Sequence, residues 1–506
     1  MITVTLASGS YAEAVRHCDH PAEFANGVEL RIDTWEAVDP VEVGHCLEQC
    51  RRRYTIVILT MRLQRDGGAC TAGRRRRNRI LLECVRKLPP DVYVDLEIEQ
   101  LGSGEDDKLC TAIAEAGGRV IRSYHSFEPG VDMDALQQLG RVSGAELPKA
   151  AVMPESTGDL LQLLMFARSF RPGDQIVLGM GEWGMPSRMC PLVFGSCWTY
   201  AADSSGPAAP GQLTAAELAI RCRTHLHTPA TKYFAIFGNP VMHSRSPEFH
   251  NQRFEEARYN AVYVPFPLSD ADAGIRVMQQ WPLVGVSVTI PHKHGVLLWE
   301  NTDPEEAVQA VGAANTAVGG QFGIRLSNTD VEGFLYPLLE RGFTLRSTRC
   351  LVIGAGGAAR AVVYGLLLHG ATVLVLNRTL SRAESLVSEL QQVPLHSQAA
   401  VSAAELANID AGGINKLCMD HWGDLPQLVV QTTQVGMEPD ISGDPLPGYA
   451  FSGNELVYDI IYTPEHTAIL HRAAASGCPV ITGKAMFTAQ AEAQSRRFME
   501  ALAALD

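Results

Sequence analysis

Between residues 3 and 201, short β-rich apolar runs alternate with segments whose apolar residues recur at helical spacing. The runs are Thr3–Ala7, Val28–Asp33, Thr55–Arg62, Val92–Ile98, Arg119–Phe127, Leu147–Pro154, Gln175–Gly181 and Pro191–Ala201. Val41–Arg52 and Asp159–Phe170 are two of the helical segments between them. Eight strand-then-helix alternations predict an α/β chain that opens with a (β/α)8 TIM barrel. Around residues 203–231 the chain becomes richer in Ser, Pro, Thr and His. There Ala215–Arg223 keeps helical spacing, His225–Pro229 reads as a short linker, and a new β pattern begins at Tyr233.

Farther on, Cys350–Ile353 reads as a buried strand, Gly354-Ala355-Gly356-Gly357-Ala358-Ala359-Arg360 as a glycine turn, and the residues through Leu367 as a helix. Such glycines let backbone N–H groups approach a pyrophosphate, and the helix N-terminus favours its charge, which is the start of a Rossmann unit. The next strand, Ala371–Leu376, ends in Asn377-Arg378-Thr379, with Arg382 beyond. Asn377 stands 21 residues after Gly356, near where NAD-preferring folds place an acidic residue. Arg378 and Arg382 instead suit a 2′-phosphate, so NADP(H) is favoured over NAD.

At 506 residues the chain has room for roughly three domains. With 42 Lys and Arg against 56 Asp and Glu its net charge is −14, which opposes general binding to nucleic acid. No run of about 18 apolar residues predicts a membrane span, and the N-terminus does not read as a signal peptide. The twelve cysteines form no Cys-x-x-Cys pair, and no His cluster has zinc spacing, so no metal is expected. Cys46 and Cys50 share a probable helix face, read as packing. Arg51–Arg53 and Arg74–Arg77 read mainly as solvated faces.

Polar residues gather at the C-terminal ends of the first eight runs, the face where barrel active sites lie. Lys149 is the sharpest of them, because a lysine inside an apolar strand is expensive to bury charged. Its ordinary pKa is about 10.4, and burial or a neighbouring cation would lower it and leave an amine able to attack a ketone. From position alone, a lysine snorkelling from the strand end fits equally.

This half resembles type I 3-dehydroquinate dehydratase. The motifs are Glu29-Leu30-Arg31-Ile32-Asp33, Arg62 with Gly67-Gly68, Ser123-Tyr124-His125, Lys149-Ala150-Ala151-Val152-Met153, Ser187-Arg188 and Pro210-Gly211-Gln212, in the family's order. The resemblance implies that Lys149 forms a Schiff base with the substrate ketone. His125 would remove a C2 proton and return one to the departing hydroxyl. Glu29 would orient His125 or bind a substrate hydroxyl. Arg31 belongs to the same substrate-binding set, Arg62 and Arg188 suit the carboxylate, and Gln212 would bond substrate from a lid-like loop. Asp66 replaces the family's usual Glu, and Ala208 its usual Ser, and both positions concern substrate binding and loop closure rather than the imine.

The second half resembles shikimate dehydrogenase. The motifs are Gly238 to Pro247, Ser287 to Lys293, Gly312 to Thr316, Asn328-Thr329-Asp330, Tyr458 to Tyr462, and Gly483-Lys484-Ala485-Met486 with Gln490. By that resemblance Lys293 and Asp330 form the catalytic pair, Lys293 giving the proton as hydride arrives from NADPH. Ser244 and Ser246 would bind the carboxylate, Thr289, Asn315 and Gln490 ring hydroxyls, and Tyr462 the substrate or nicotinamide side. Gly354, Ala355, Gly356, Gly357, Ala358, Asn377, Arg378, Thr379, Arg382 and Gly483 would hold the cofactor. The cleft is expected between the substrate and Rossmann domains. The segment Gln431 to Met437 departs from the family's usual pattern near the cofactor's ribose.

The expected domains are a barrel over 1–224, a substrate-binding domain over 232–335, a Rossmann domain over 336–482 and C-terminal helices over 483–506. Together they imply a fused pair of activities, 3-dehydroquinate to 3-dehydroshikimate and then to shikimate. Two alternatives are a quinate-preferring enzyme using NAD and a catalytically silent metabolite sensor. Small acids are the expected partners, with no nucleic acid and no membrane. The sequence leaves the oligomeric state open. It favours the cytoplasm, although a processed plastid protein would look the same.

Overall fold

The computed structural model describes residues 1–100, 104–142, 145–203, 206–320, 323–393, 399–406 and 413–505. It divides into two compact units, Met1–Leu283 and Val284–Asp506. In the first, eight parallel strands run β1 (Ile2–Leu6), β2 (Gly27–Arg31), β3 (Ile56–Thr60), β4 (Tyr93–Glu97), β5 (Arg119–Pro129), β6 (Glu146–Met153), β7 (Ile176–Gly179) and β8 (Thr199–Ala202). Their order, β7-β6-β5-β4-β3-β2-β1-β8, leaves one seam, and a parallel bridge from Gln175 to Ser196 crosses it. Cys197 N–H donates to Gln175 O at 2.9 Å there, so the barrel is nearly closed.

Inward side chains alternate along each strand. Ile58, Ile121, Ile176, Leu178, Trp198 and Tyr200 fill the interior, and polar side chains line the mouth. Two expectations fail locally. The run Pro191–Ala201 is not one strand: Phe194 N–H bonds to Pro191 O and Gly195 N–H to Leu192 O. This turn buries Phe194 edge-on to Trp281, 5.4 Å between ring centroids, and only Thr199–Ala202 is extended. The Arg74–Arg77 run is not all solvated either. On the helix Arg74–Val85, position 77 shares the buried face with Leu81 and Cys84. Arg77 is fully buried and paired with Glu97.

After the barrel, His225–Pro229 is a packed connection rather than a loose one, since His227 Nε2 lies 3.0 Å from Cys222 O. Two parallel strands, β9 (Lys232–Gly238) and β10 (Ala261–Pro267), end this unit, and Ser269 N–H donates to Thr157 Oγ1 of a barrel helix at 2.9 Å.

The second unit begins with a mixed sheet of β11 (Leu283–Val288), β12 (Thr302–Pro304), β13 (Thr316–Gly320) and β14 (Gly323–Ser327), in the order β11-β13-β14-β12. A parallel sheet follows from β15 (Arg349–Ile353), β16 (Thr372–Asn377), β17 (Ala400–Glu405), β18 (Leu428–Gln431), β19 (Leu456–Asp459) and β20 (Val480–Ile481). Its order, β17-β16-β15-β18-β19-β20, is the doubly wound Rossmann order, with its switch point between β15 and β18. The expected C-terminal helices are one helix, Gly483–Ala503. It returns to the mixed sheet, where Gln494 Nε2 donates to Asn315 O at 3.0 Å and Ser287 donates to Gln494 Oε1 at 2.9 Å.

Candidate functional site

Two constellations of polar groups stand out, one in each unit, buried in the first and part-buried in the second. In the barrel mouth, Glu29, Arg31, Arg62, His125, Lys149, Arg188 and Gln212 line one cavity, together with Asp66 and Ala208. All seven substrate-site and catalytic residues expected there are thus brought together.

Lys149 is 3 % exposed, and its ammonium is not in an apolar setting. Nζ lies 3.0 Å from Asp95 Oδ2, 3.6 Å from Glu29 Oε1 and 4.2 Å from the centroid of the Tyr200 ring. Asp95 is the hub. It also accepts from Arg62 at 2.9 Å and from Ser123 Oγ at 2.5 Å. Burial disfavours its charge, but Arg62 and Lys149 outweigh that and hold the carboxyl far below its usual range. Glu29 is likewise held low by Lys149, Arg62 and Arg31 against its burial, and it accepts from Thr5 and Thr60.

His125 Nδ1 faces Arg62 at 2.7 Å. A guanidinium only donates, so with the ring in this orientation Nδ1 is the acceptor and Nε2 carries the proton. Burial, then Arg62 and Lys149, push His125 well below the ordinary histidine range. The ring is therefore neutral at physiological pH.

Arg188 differs from the other two arginines. Arg31 is locked bidentately to Asp33 at 2.9 and 2.7 Å, and Arg62 is paired with Asp95 through one contact at 2.9 Å. Arg188 sits within the helix Gly181–Met189, not in a loop, and donates to Gly179 O at 2.9 Å. It has no carboxylate partner among the described residues, and burial pushes it down to about 10. A buried guanidinium without a counterion is a receptor for an anion. Gln212 follows β8, where its Oε1 accepts from Ala208 N–H at 2.8 Å and its Nε2 reaches Thr5 Oγ1 at 3.4 Å.

In the second unit, Lys293 Nζ donates to Asp330 Oδ2 at 2.6 Å. Asn315 donates to Asp330 Oδ1 at 2.9 Å and to Thr329 Oγ1 at 2.9 Å, while Thr329 Oγ1 donates to Gln490 Oε1 at 3.3 Å. Asn328 caps the helix Thr329–Glu340 through Asp330 N–H, which fixes where the Asp330 carboxylate starts. Gly333 lets the C-terminal helix approach, since a Cβ there would sit 2.5 Å from Gln490 Cβ. Lys293, Asn315, Asp330 and Gln490 thus form one bonded chain. Thr289 lies one turn before Lys293, its carbonyl accepting from His292 N–H at 2.9 Å. Tyr462 is half exposed beside Phe487. Ser244 and Ser246 belong to the first unit, at the start of the helix Ser246–Glu256, with Ser246 N–H donating to Ser244 Oγ at 3.3 Å.

The glycine turn after β15 has the shape a dinucleotide phosphate needs. Gly354 adopts φ +111°, and a Cβ there would lie 2.5 Å from Thr432 Oγ1. A Cβ on Gly356, the N-cap of the helix Gly357–Leu368, would meet open space, so the helix N-terminus with Ala355, Gly357 and Ala358 is accessible. At the end of β16 Asn377 Nδ2 bonds Thr379 O at 2.8 Å, while Arg378 and Arg382 are exposed with no ion pair among the described residues. Gly483 opens the last helix, its N–H donating to Ile461 O. These groups fit a phosphorylated dinucleotide.

Asp95 was not a candidate from sequence. Its signal is the one that marked Lys149, a charged residue inside an apolar strand, and alternation puts it on the same side as Tyr93 and Glu97.

Three family models match the chain: type I 3-dehydroquinase over residues 2–223, the shikimate dehydrogenase substrate-binding domain over 236–317, and shikimate/quinate 5-dehydrogenase over 338–410. The chloroplastic bifunctional 3-dehydroquinate dehydratase/shikimate dehydrogenase of Arabidopsis thaliana is 30 % identical over 94 % of this chain and 77 % of its own length. A shikimate dehydrogenase (NADP+) of Salinibacter ruber is 39 % identical over 53 % of this chain and 93 % of its own. The dehydroquinate dehydratase and shikimate dehydrogenase structure from S. pombe AroM is 22 % identical over 97 % of this chain and 94 % of that one, with a TM-score of 0.44.

Proposed function

This chain belongs to the bifunctional 3-dehydroquinate dehydratase/shikimate dehydrogenase family, and from that premise we infer how its two centres work. It is an enzyme of the shikimate pathway with a lyase and an NADP-dependent oxidoreductase activity, converting 3-dehydroquinate to 3-dehydroshikimate and that ketone to shikimate. We assign residues 1–224 to the dehydratase, 232–335 to substrate binding by the dehydrogenase, 336–482 to the cofactor domain and 483–506 to the returning C-terminal segment. The family-model matches over 2–223, 236–317 and 338–410 fall within the first three of these assignments. No described helix is long and apolar enough to cross a membrane.

One observation carries the mechanism: Lys149, His125 and the uncompensated guanidinium of Arg188 line a single cavity. The substrate carboxylate pairs with Arg188, and Gln212 and Glu29 take ring hydroxyls, with Arg31 held by Asp33 at the wall. Lys149 first loses its ammonium proton to solvent, Nζ then attacks the ketone carbon as a free amine, and loss of water from the carbinolamine gives the imine. The protonated imine draws electrons from C2, so His125 can remove a C2 proton there and return one to the departing hydroxyl. For that, Arg62 has to release Nδ1 or the ring has to exchange its proton, and an arriving anion favours the first by drawing the guanidinium.

In the dehydrogenase, the glycine turn would hold the pyrophosphate and Arg378 and Arg382 the 2′-phosphate, and Asn377, Thr379 and Gly483 are assigned to the same cofactor. NADPH bound there supplies the hydride. Lys293 gives a proton to the ketone oxygen, and Asp330 holds the ammonium in place. Thr289, Asn315, Gln490 and Tyr462 are assigned to the ring and nicotinamide side.

The direct test supplies purified protein with 3-dehydroquinate and NADPH and follows nicotinamide absorbance. Oxidation without added 3-dehydroshikimate is expected, and no oxidation from either ketone would refute the reading. Two further results are expected. Arg378→Ala or Arg382→Ala should raise the KM for NADPH about tenfold and leave that for NADH nearly unchanged, because only the 2′-phosphate is affected. The dehydratase kcat/KM should hold on the acid side to below about pH 6.5, the ordinary histidine pKa, because His125 is held neutral. Activity is lost as pH falls through the depressed value. Arg62→Met removes one of the cations depressing it and should move that acid limb upward.

A further inference from the structure

Away from both centres the described residues bring three sulfurs together. Cys18 lies in the last turn of the helix Tyr11–Asp19, and Cys46 and Cys50 lie one turn apart on the helix Pro40–Arg51. Their Sγ atoms all lie within 4.8 Å of one another, and Cys18 and Cys50 approach to 2.8 Å. All three are at most 1 % exposed. Among the described residues no histidine, carboxylate or further cysteine joins the group at that distance.

We propose that Cys18, Cys46 and Cys50 form a three-thiolate site for a soft d10 cation, Cu(I) in particular. The spacing of Cys46 and Cys50 turns both sulfurs to one helix face, and packing of the first helix against it supplies the third. Core packing alone accounts for three buried cysteines, which are among the most buried residue types, but it does not require their sulfurs to converge. A metal bonded in a plane to three sulfurs at about 2.3 Å holds them about 4.0 Å apart, inside the separation found here. Cys18 and Cys50 have only to part by about 1 Å to reach it, an adjustment within side-chain torsion. Thiolates select Cu(I) and Zn(II) among common ions. Structural zinc takes four ligands, and this site offers three and excludes water, which favours Cu(I).

On binding, three S–H bonds give way to three Cu–S bonds, the protons pass to water and no electron is transferred. The ion would join the two helices on either side of the segment that leads into β2 and Glu29, and so stabilise the folded barrel.

The test titrates the reduced, full-length protein anaerobically with Cu(I) buffered by bicinchoninate, and in a second arm with Zn(II) alone. One Cu(I) per chain should be withheld from the chelator, with thiolate-to-copper charge-transfer absorption and a raised thermal midpoint. Cys46→Ser and Cys18→Ser should each lose that equivalent, and Cys350→Ala, in the cofactor domain, should keep it. Because a serine at these buried positions can itself unfold the barrel, X-ray absorption at the copper edge is read on the unmutated protein. Three sulfur neighbours and no nitrogen or oxygen neighbour are expected. No retained copper, nitrogen or oxygen scatterers, an equivalent that survives Cys46→Ser, or zinc held where copper is not, each overturns the proposal.

Discussion

Lys149→Ala is expected to lower the dehydratase kcat by at least about 10⁴-fold while leaving reduction of 3-dehydroshikimate unchanged. The loss is large because the amine is the bond-forming atom, so no neighbour can substitute for it. Asp95 and Glu29 lie 3.0 and 3.6 Å from Nζ but carry no nucleophile able to form an imine. The variant also removes one of the cations facing those two carboxylates, leaving Arg62 paired with Asp95 at 2.9 Å and Glu29 bonded by Thr5 and Thr60. Borohydride with 3-dehydroquinate should inactivate the wild-type dehydratase by reducing the imine to a secondary amine, adding to the chain the mass of the ketone less one oxygen, because water leaves and two hydrogens enter. The same treatment should leave Lys149→Ala unlabelled. Labelling of the variant would place the imine on another lysine and overturn the assignment. In the coupled assay the variant should oxidise NADPH only when 3-dehydroshikimate is supplied, which separates loss of one centre from loss of the fold.

The barrel was legible because its signal is repetitive: strands alternate with helices, and each observed strand overlaps its expected run. The failures are local and share a cause. Pro191 to Phe194 is as apolar as a strand, yet Phe194 is buried from a turn, and hydrophobicity alone cannot distinguish the two. Arg77 reads as one of four exposed charges until helix geometry puts it on the buried face opposite Glu97. The site was legible as residue types but not as connections. Glu29, Arg62, His125 and Lys149 were individually identifiable, but that Asp95 joins two of them, Arg62 and Lys149, depends on strand register, Thr60 opposite Asp95 and Ser123 opposite Lys149, which spans the barrel wall. Equally, no spacing rule puts Cys18 with Cys46 and Cys50, because tertiary packing alone brings it there.

The second large effect is expected at the reductase. Lys293→Ala should lower kcat for 3-dehydroshikimate by about 10²- to 10⁴-fold, the range for losing a positioned proton donor, with KM for NADPH little changed. Asp330→Asn should lose less. The amide can still accept from Lys293 and retains the helix-capping bond from Asn328 to the residue's N–H, but it no longer balances the ammonium's charge. Its effect should therefore appear as a changed pH profile with a smaller fall in kcat, whereas a residue serving only the fold would move neither. Asn315 gives an internal comparison, because it bonds Asp330 at 2.9 Å on the oxygen that Lys293 does not use. Asn315→Ala should lower kcat and raise KM for the ketone together, since it frees Asp330 and also removes a donor assigned to a ring hydroxyl. In all three variants the dehydratase should convert 3-dehydroquinate at the wild-type rate, so 3-dehydroshikimate accumulates. If Lys293→Ala retained full reductase activity, the proton would have to come from elsewhere and the Lys293–Asp330 pair would be a structural ion pair.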